Sequence, residues 1–256
     1  MLHFPKLAQF PYVKTAFRLS CIAGLSLAMT IPALAGYNPP KDSSAPSSGS
    51  RNSTGVRRGC VAEAGSMMIL APHNHIGQTV STQPAVSWVI PDDEPFAMEL
   101  RLYELAYDED GPLEPTTRHR TLLEKVELET TPGLMQASSP TLQTTLEPGK
   151  YYLWQVVVMC NPNRPSSALT DEVIMQVVPQ PAELDTALAQ ATSPQDRAQV
   201  FAEAGLWYDA LAQVAADQTP EAVAYRDALL QDLAELEANS SYGQALSEHM
   251  QQLQIP

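Results

Sequence analysis

The chain has 256 residues, 44% of them apolar, with 22 prolines and a formal net charge of −14. This length suffices for one substantial domain and a smaller one, and the frequent prolines indicate many turns and strand edges. The acidic charge excludes non-specific binding of nucleic acid as the main role, because a phosphate backbone requires a basic surface.

Residues 1–35 have the three parts of an export signal. Basic residues at the front precede an apolar run over 19–34, and the small-x-small sequence Ala-Leu-Ala at 33–35 comes directly before Gly36. A retained membrane anchor is the alternative, but the run is short for a span and contains Pro32. We therefore expect a cleaved signal peptide and a mature chain without a membrane span. Its expected location is the periplasm, the cell envelope or the extracellular space.

Residues 36–59 are rich in serine, proline and glycine and show no apolar periodicity. This composition predicts a disordered, flexible linker. Its basic residues contrast with the acidic body of the chain, so contact with an anionic envelope polymer is one interpretation. A solvated tail is the other, and it is the one we favour on composition.

Residues 60–180 contain short apolar runs separated by turn signals, which is typical of an all-β domain. Alternation of apolar and polar residues, as between Phe96 and Tyr103, predicts half-buried strands. We expect a mostly β fold in which seven strands form an immunoglobulin- or fibronectin type III-like β-sandwich. The predicted strands lie at 67–71, 86–90, 96–103, 122–129, 142–146, 151–160 and 173–177.

The stretch 146–160, LEPGKYYLWQVVVMC, is predicted to contain the sixth and central strand. Its even-numbered residues from Tyr152 to Cys160 share one parity, so they would face the core together. The segment 146–152 matches the tyrosine corner of fibronectin-like domains, in which the Tyr152 hydroxyl would hydrogen-bond back to the preceding loop.

Two of the three cysteines, Cys60 and Cys160, lie in the body of the chain. An even pair in an exported protein favours a disulfide. Closing a loop of about a hundred residues would stabilise the fold by up to ~4–5 kcal/mol. If the two are bonded, neither is available as a nucleophilic thiol.

Together, these pieces resemble a family of secreted, mainly cyanobacterial proteins filed as domain of unknown function (DUF) 928. The resemblance rests on the following segments: Gly59-Cys60, Leu70-Ala71-Pro72, Gly77-Gln78-Thr79, Pro84 to Pro91 with Trp88, Tyr152-x-Trp154 running to Cys160-Asn161-Pro162, and Ala202 to Ala210. It implies an exported protein with no established activity. No catalytic residue can be carried over, because none is known for the family.

Residues 183–256 are rich in alanine, glutamine and leucine and predict a small α-helical C-terminal region. Ser193-Pro194 and Thr219-Pro220 each combine a capping residue with a proline at the start of a helix. The sequence GLWYDAL at 205–211 resembles half of a tetratricopeptide unit. A helical hairpin with its own core is the alternative, since stable arrays need about three or more units. We expect roughly three helices, packed on the sandwich or tethered to it.

His73-Asn74-His75 is the only His-x-His sequence in the chain. On a strand both imidazoles would face one side, as a pair of metal ligands must. The sequence lies between Pro72 and Gly77, where a loop is the better interpretation, and no third ligand is evident. His73 and His75 are therefore the metal candidates, and we predict no cofactor.

The sequence Asp108-Glu109-Asp110-Gly111 opens like a calcium loop. Pro112 and His119 stand where such a loop requires a ligand and its final glutamate. A charged hairpin turn is the better interpretation.

The chain has no nucleophile elbow, no phosphate-binding glycine-rich loop and no His-Glu-x-x-His sequence. Its tryptophans occupy core parity or helical spacing, which favours packing over sugar stacking. We expect a non-catalytic module that binds a protein or envelope component. The alternatives are a carbohydrate- or metal-dependent envelope enzyme with a dispersed site and a structural component of the envelope.

Overall fold

In the part of the chain that the structure describes, all the β-strands precede the α-helices. The computed structural model describes residues 36–41 and 67–253, apart from 92, 109–110, 114–115, 117, 139–140, 162 and 164. The strands are β1 (Met68–Ile69), β2 (Gly77–Thr79), β3 (Val86–Ile90), β4 (Ala97–Leu105), β5 (Tyr107–Asp108), β6 (Gly111–Pro112), β7 (Arg120–Glu129), β8 (Gly133–Ala137), β9 (Tyr151–Met159) and β10 (Leu169–Val177). The helices are α1 (Ala182–Gln190), α2 (Pro194–Glu203), α3 (Trp207–Val214), α4 (Pro220–Leu236) and α5 (Ser241–Leu253).

These strands form three sheets. One has three strands in the order β1-β3-β8, and another has five in the order β2-β10-β9-β4-β7. The third is the hairpin of β5 and β6, which confirms the turn predicted around Asp108 and Gly111. Strand β2 runs parallel to β10, whereas the other pairings are antiparallel.

The predicted central strand is confirmed. β9 is the middle strand of the larger sheet and pairs with β4 on one side and β10 on the other. Tyr152 and Trp154 are each 1% exposed and pack in the main core. Leu153 and Val157, which have the opposite parity, are also buried, so both faces of this strand are covered.

The tyrosine corner is also confirmed. The backbone N–H of Glu147 donates to the Tyr152 hydroxyl oxygen at 2.9 Å. Gly149, within the same turn, has a φ of 90°, a backbone conformation that glycine adopts without a steric penalty. This hydrogen bond holds the loop before β9 against the start of the strand.

Both larger sheets contribute to one core. Val86, Trp88 and Ile90 of β3 belong to the same buried cluster as Leu100 of β4 and Val173 of β10. Alternation along β4 and β10 has the predicted parity, with Met98, Leu100, Leu102, Val173, Met175 and Val177 buried.

Two details of the strand prediction are wrong. Residues 142–146 are not a strand, although Leu142 and Leu146 are buried, because the backbone N–H groups at 143 and 144 bond to the Glu124 carboxylate instead of a neighbouring strand. Strands β2 and β8 were not predicted, and three residues in β2 are too few to show a period of two.

Five helices are present among the described residues, not three, so a mostly β description is too narrow and the fold is mixed. The predicted starts of α2 and α4 are confirmed. Ser193 accepts from the Asp196 N–H in a reciprocal capping box, and Thr219 accepts from the Ala222 N–H. One additional helix arises because Gly205, which has a positive φ, separates α2 from α3.

The helices pack directly on the strands. The Trp207 indole N–H on α3 donates to the Leu70 carbonyl at 2.9 Å, and the Tyr242 hydroxyl on α5 donates to the Ile69 carbonyl at 2.8 Å. The described residues lie in one compact unit, and buried side chains of the helices belong to the same core cluster as those of the strands. Among the described residues, no helix is long and apolar enough to cross a membrane.

Candidate functional site

The metal candidates lie where the segment 71–76 meets the helices. His75 is 9% exposed, and its Nε2 lies 2.8 Å from the Tyr37 hydroxyl. Its Nδ1 contacts Oδ1 of Asn74, whose side-chain N–H donates to the Leu236 carbonyl and so fixes the amide orientation. His75 therefore carries its proton on Nδ1, and the Tyr37 hydroxyl donates to Nε2.

His73 has different surroundings. Its ring stacks on Tyr242 with centroids 3.8 Å apart, and within the described chain neither ring nitrogen has a hydrogen bond of normal geometry. Burial lowers the pKa of His73 to about 4, with the Ile69 backbone opposing the shift, and burial alone lowers the pKa of His75 to about 4. Both imidazoles are neutral at pH 7.

A buried carboxylate, Glu237, holds the backbone of this segment. Its Oε1 accepts from the N–H groups of His73 and Asn74, each at 2.7 Å. A Cβ at Gly243 would lie 2.2 Å from the Glu237 carbonyl, so only glycine fits beside it. Glu237 is 2% exposed, and the two backbone N–H groups satisfy the hydrogen-bonding capacity of its Oε1.

Asp171 anchors the other end of the same region. This β10 residue is 1% exposed and accepts from the Ile69 N–H at 2.7 Å, while Tyr242 binds the Ile69 carbonyl. Both backbone groups of Ile69 are thus satisfied by side chains from β10 and α5.

Tyr208 and Asp209, in the first turn of α3, contact β2 and the residue that follows it. Asp209 accepts from the Val80 N–H at 3.1 Å, just after β2. A Cβ at Gly77 would lie 2.9 Å from the Tyr208 ring, so glycine there allows the helix to approach β2. Burial raises the pKa of Asp209 to about 6, although hydrogen bonds from Thr79 and nearby backbone oppose the shift.

Residues 36–41 belong to this cluster, contrary to the predicted disordered linker. Tyr37 is 6% exposed and packs edge-to-face on Trp207, and the Asn38 N–H donates to the Ala202 carbonyl at 3.1 Å. The remainder of the predicted linker, 42–59, lies outside the described residues. The contacts that hold Tyr37 come from residues far along the chain, so composition could not reveal them.

Within the described part of the chain, the polar groups of this cluster are directed mainly at other groups of the protein. Both ring nitrogens of His75 are occupied, and His73 faces an aromatic ring. Among the described residues, no group of three or more histidine, cysteine or acidic side chains could hold a metal ion. What the polar groups do instead is bind one part of the chain to another.

Cys160 follows β9 and is partly buried, and its side chain is not free. Its predicted partner, Cys60, lies outside the described residues, so the disulfide stays a prediction.

Exposed apolar side chains concentrate on the β4–β7 side of the larger sheet. Leu122 is 50% exposed and Leu123 38% exposed on β7, which is an edge strand among the described strands. The register shifts opposite Leu102 and Tyr103, so Leu123 is the extra residue of a bulge. The sequence did not predict that either leucine is exposed, because the alternation in this strand is imperfect.

Comparisons with known proteins yield one family. A sequence model of the family described as "Domain of Unknown Function (DUF928)" matches residues 47–250. No curated protein matches. A solved structure, titled as an analysis of a lytic polysaccharide monooxygenase important for efficient utilization of chitin in Cellvibrio japonicus, is similar at 8% identity and a TM-score of 0.27. The match covers 41% of this chain and 56% of that one, so the chain spans little more than half the length of that protein.

Proposed function

Because the chain belongs to the DUF928 family, we propose a function from its own surfaces: a non-catalytic binding module that docks an extended segment of a partner protein along the edge of β7. The exposed leucine pair on this edge strand carries the proposal.

The edge of β7 has the properties that strand addition requires. The strand is ten residues long and, among the described strands, pairs only with β4. A partner segment would bond to backbone groups on the other side of β7, and pockets for alternate side chains would select its sequence. Leu122 and Leu123 would supply apolar contact, and the bulge at Leu123 limits indiscriminate pairing in the absence of the partner.

The interior cluster supports a binding role over a catalytic one. Glu237 and Asp209 are engaged by backbone N–H groups, and His75 by Tyr37 and Asn74. A general base needs a lone pair directed at a substrate, and these groups direct theirs at the chain itself. The net charge of −14 supports a protein partner over a nucleic acid.

We propose that the protein is exported to the periplasm, cell envelope or extracellular space, on the strength of the leader pattern in 1–35. In such an oxidising location, Cys60 and Cys160 would form a disulfide, and the engaged side chain of Cys160 supports this pairing. The strand part would be an immunoglobulin- or fibronectin type III-like sandwich. Its support is the packing of a three-stranded sheet against a larger one and the corner at Tyr152.

A site-specific crosslinking experiment tests the binding surface. A photoreactive amino acid is placed at 122 in the full chain, and in a second chain at 236, because Leu236 on α4 is an exposed leucine away from β7. Both proteins are illuminated in envelope fractions of the source cells. We expect a discrete protein adduct from position 122 only, and Leu123→Glu should remove it while leaving the thermal unfolding midpoint unchanged.

Equal labelling from both positions would contradict the proposal, and so would an adduct that survives Leu123→Glu. An adduct with the mass of two copies of this chain would show self-association at this edge instead of a partner protein.

A further inference from the structure

Gly36 and Tyr37 are held by a carboxylate on α4. The Tyr37 backbone N–H donates to Oδ2 of Asp232 at 3.2 Å, and the adjacent Gly36 backbone N–H acts on the same carboxylate by lowering its pKa. The Tyr37 side chain fixes the position of both groups, because it is buried between His75 and Trp207.

The surroundings of the Gly36 nitrogen are acidic. A Cβ at Gly36 would lie 4.0 Å from Cγ of Glu203 on α2, and the charge of Glu235 acts on Asp232. Among the described residues, no lysine, arginine or histidine forms an ion pair with Asp232. Burial raises the pKa of Asp232, which is the direction expected for a carboxylate without a cation beside it.

The sequence places a cleavage pattern directly before this nitrogen. The predicted signal peptide ends at Ala35, so the first atom of the mature chain would be the Gly36 nitrogen that contacts Asp232. Gly36 is exposed and has a φ of 74°, whereas Tyr37 beside it is buried. The first buried side chain of the described residues is therefore the second residue after the predicted cleavage point.

We propose that hydrolysis of the Ala35–Gly36 peptide bond by a signal peptidase creates an α-ammonium group that forms an ion pair with Asp232, a pair that the uncleaved chain lacks. Water adds across the bond: its oxygen joins the Ala35 carbonyl carbon, the C–N bond breaks, and the Gly36 nitrogen takes up protons to become cationic. The inference rests on the proposed export, and it makes removal of the leader a step that completes the fold.

The pair should respond to pH in a defined direction. An α-amino group has an ordinary pKa of about 7.7–8.0, and an adjacent carboxylate raises it. The stabilisation is present below that ordinary value, while Asp232 is ionised, and is lost as pH rises through the raised pKa of the amine. The other titratable groups in this environment are Glu203, Glu235, Tyr225 and His75.

The test is a set of four exported full-length chains. They are the wild type, Asp232→Asn, a chain with one alanine inserted between Ala35 and Gly36, and a chain that carries both the substitution and the insertion. The insertion moves the free amine one residue away and leaves a neutral peptide N–H at Gly36. Asp227→Asn is the matched control, because Asp227 lies on the same helix and pairs with Arg226 instead. Intact mass establishes where each mature chain begins, and denaturant unfolding gives its stability.

We expect the wild-type chain to begin at Gly36. Asp232→Asn should lower the folding equilibrium constant in both backgrounds. The factor should be about three to ten times larger in the wild-type background than in the chain with the inserted alanine. Asp227→Asn should have the same effect in both backgrounds. If Asp232→Asn does not fold, the stability comparison is replaced by the rate at which an acylating reagent modifies the terminal amine. The amine of the wild-type chain should react more slowly at pH 8 than the amine of the inserted chain.

The outcomes separate the inference from the proposed export. A chain that keeps its leader contradicts both. A chain that begins at Gly36 but shows equal effects of Asp232→Asn in both backgrounds, or equal amine reactivity, overturns the ion pair and leaves export intact. A mature chain that begins at another residue also overturns the ion pair.

Discussion

The indole N–H of Trp207 donates to the carbonyl of Leu70 at 2.9 Å, across a separation of 137 residues. This bond joins the start of α3 to the end of the β1 segment, and both residues are almost completely buried. It is one of the points at which the helical region and the strand region become a single folded unit.

Loss of this bond should destabilise the protein more than a similar change elsewhere. Trp207→Phe would leave the Leu70 carbonyl without a donor, which costs about 1–3 kcal/mol beyond the loss of ring volume. Trp154→Phe is the control, because the Trp154 indole N–H has no partner among the described residues. Denaturant unfolding of the two variants checks this, and equal losses would show that the Trp207 bond contributes nothing.

Gly205 should be intolerant of a side chain for two reasons. Its φ is 77°, and a Cβ would lie 2.8 Å from the Asn38 carbonyl oxygen. Gly205→Ala should therefore cost about 1–2 kcal/mol for the backbone conformation and more for displacing the segment 36–40. Gly133→Ala isolates the first cost, because Gly133 has a φ of 86° with nothing within 4 Å of its Cβ position. The prediction fails if calorimetry gives both variants the same melting temperature.

His73 should lower stability in mild acid. Its pKa is about 4 when folded and about 6.5 when unfolded, so the unfolded chain binds more protons between these values. Stability from this residue is therefore complete above pH 6.5 and falls as pH drops towards 4, by about 1–3 kcal/mol. His73→Phe keeps the stacking on Tyr242 and removes the titration, so it should stabilise the protein at pH 5 relative to wild type.

Unfolding of His73→Phe by urea at several pH values measures this difference. His119→Phe, in the turn before β7, is the control. Its free energy of unfolding should differ between pH 5 and pH 7 by as much as that of the wild type. A His73→Phe chain with the wild-type pH dependence would show that this imidazole is not responsible.

Asp209 should lower the stability of the protein as pH rises, which is the opposite of the effect of His73. Its pKa is about 6 when folded and about 3.9 when unfolded, so the folded chain binds more protons between these values. Its contribution is greatest below pH 3.9 and declines as pH rises through 6. Asp209→Asn should gain about 1–3 kcal/mol relative to wild type between pH 4 and pH 7. The control is Asp227→Asn. If the free energy of unfolding changes with pH in the same way in both variants, Asp209 is not the group responsible.

The sequence predicted features whose cause is local. Alternation along 151–160 identified β9, because a strand buried in a core requires apolar residues of one parity. Pro148 and Gly149 before Tyr152 identified the corner, and Ser193-Pro194 identified the start of α2. In each case the residues that determine the structure lie within about ten positions of one another.

The contacts around His73 and His75 could not be predicted from the sequence, because they are not local. His73 and His75 have the spacing of metal ligands, yet each turns to a different aromatic residue. Glu237 binds the backbone at 73 from 164 positions away, and periodicity contains no signal for such a contact. The segment 202–210 was singled out as part of the family resemblance, but its role as the attachment of the helices was not foreseen.

The amino-acid pattern alone determined the strand-then-helix order, the central strand, the tyrosine corner and two helix starts, because backbone preference and apolar parity act over short distances. Only the tertiary structure decided that the helices pack on the strands, that Tyr37 is buried and not in a linker, and that the two histidines have separate partners. Those outcomes depend on which buried donors and acceptors meet across the chain, because a buried polar group that meets a partner avoids the free-energy cost of an unsatisfied one.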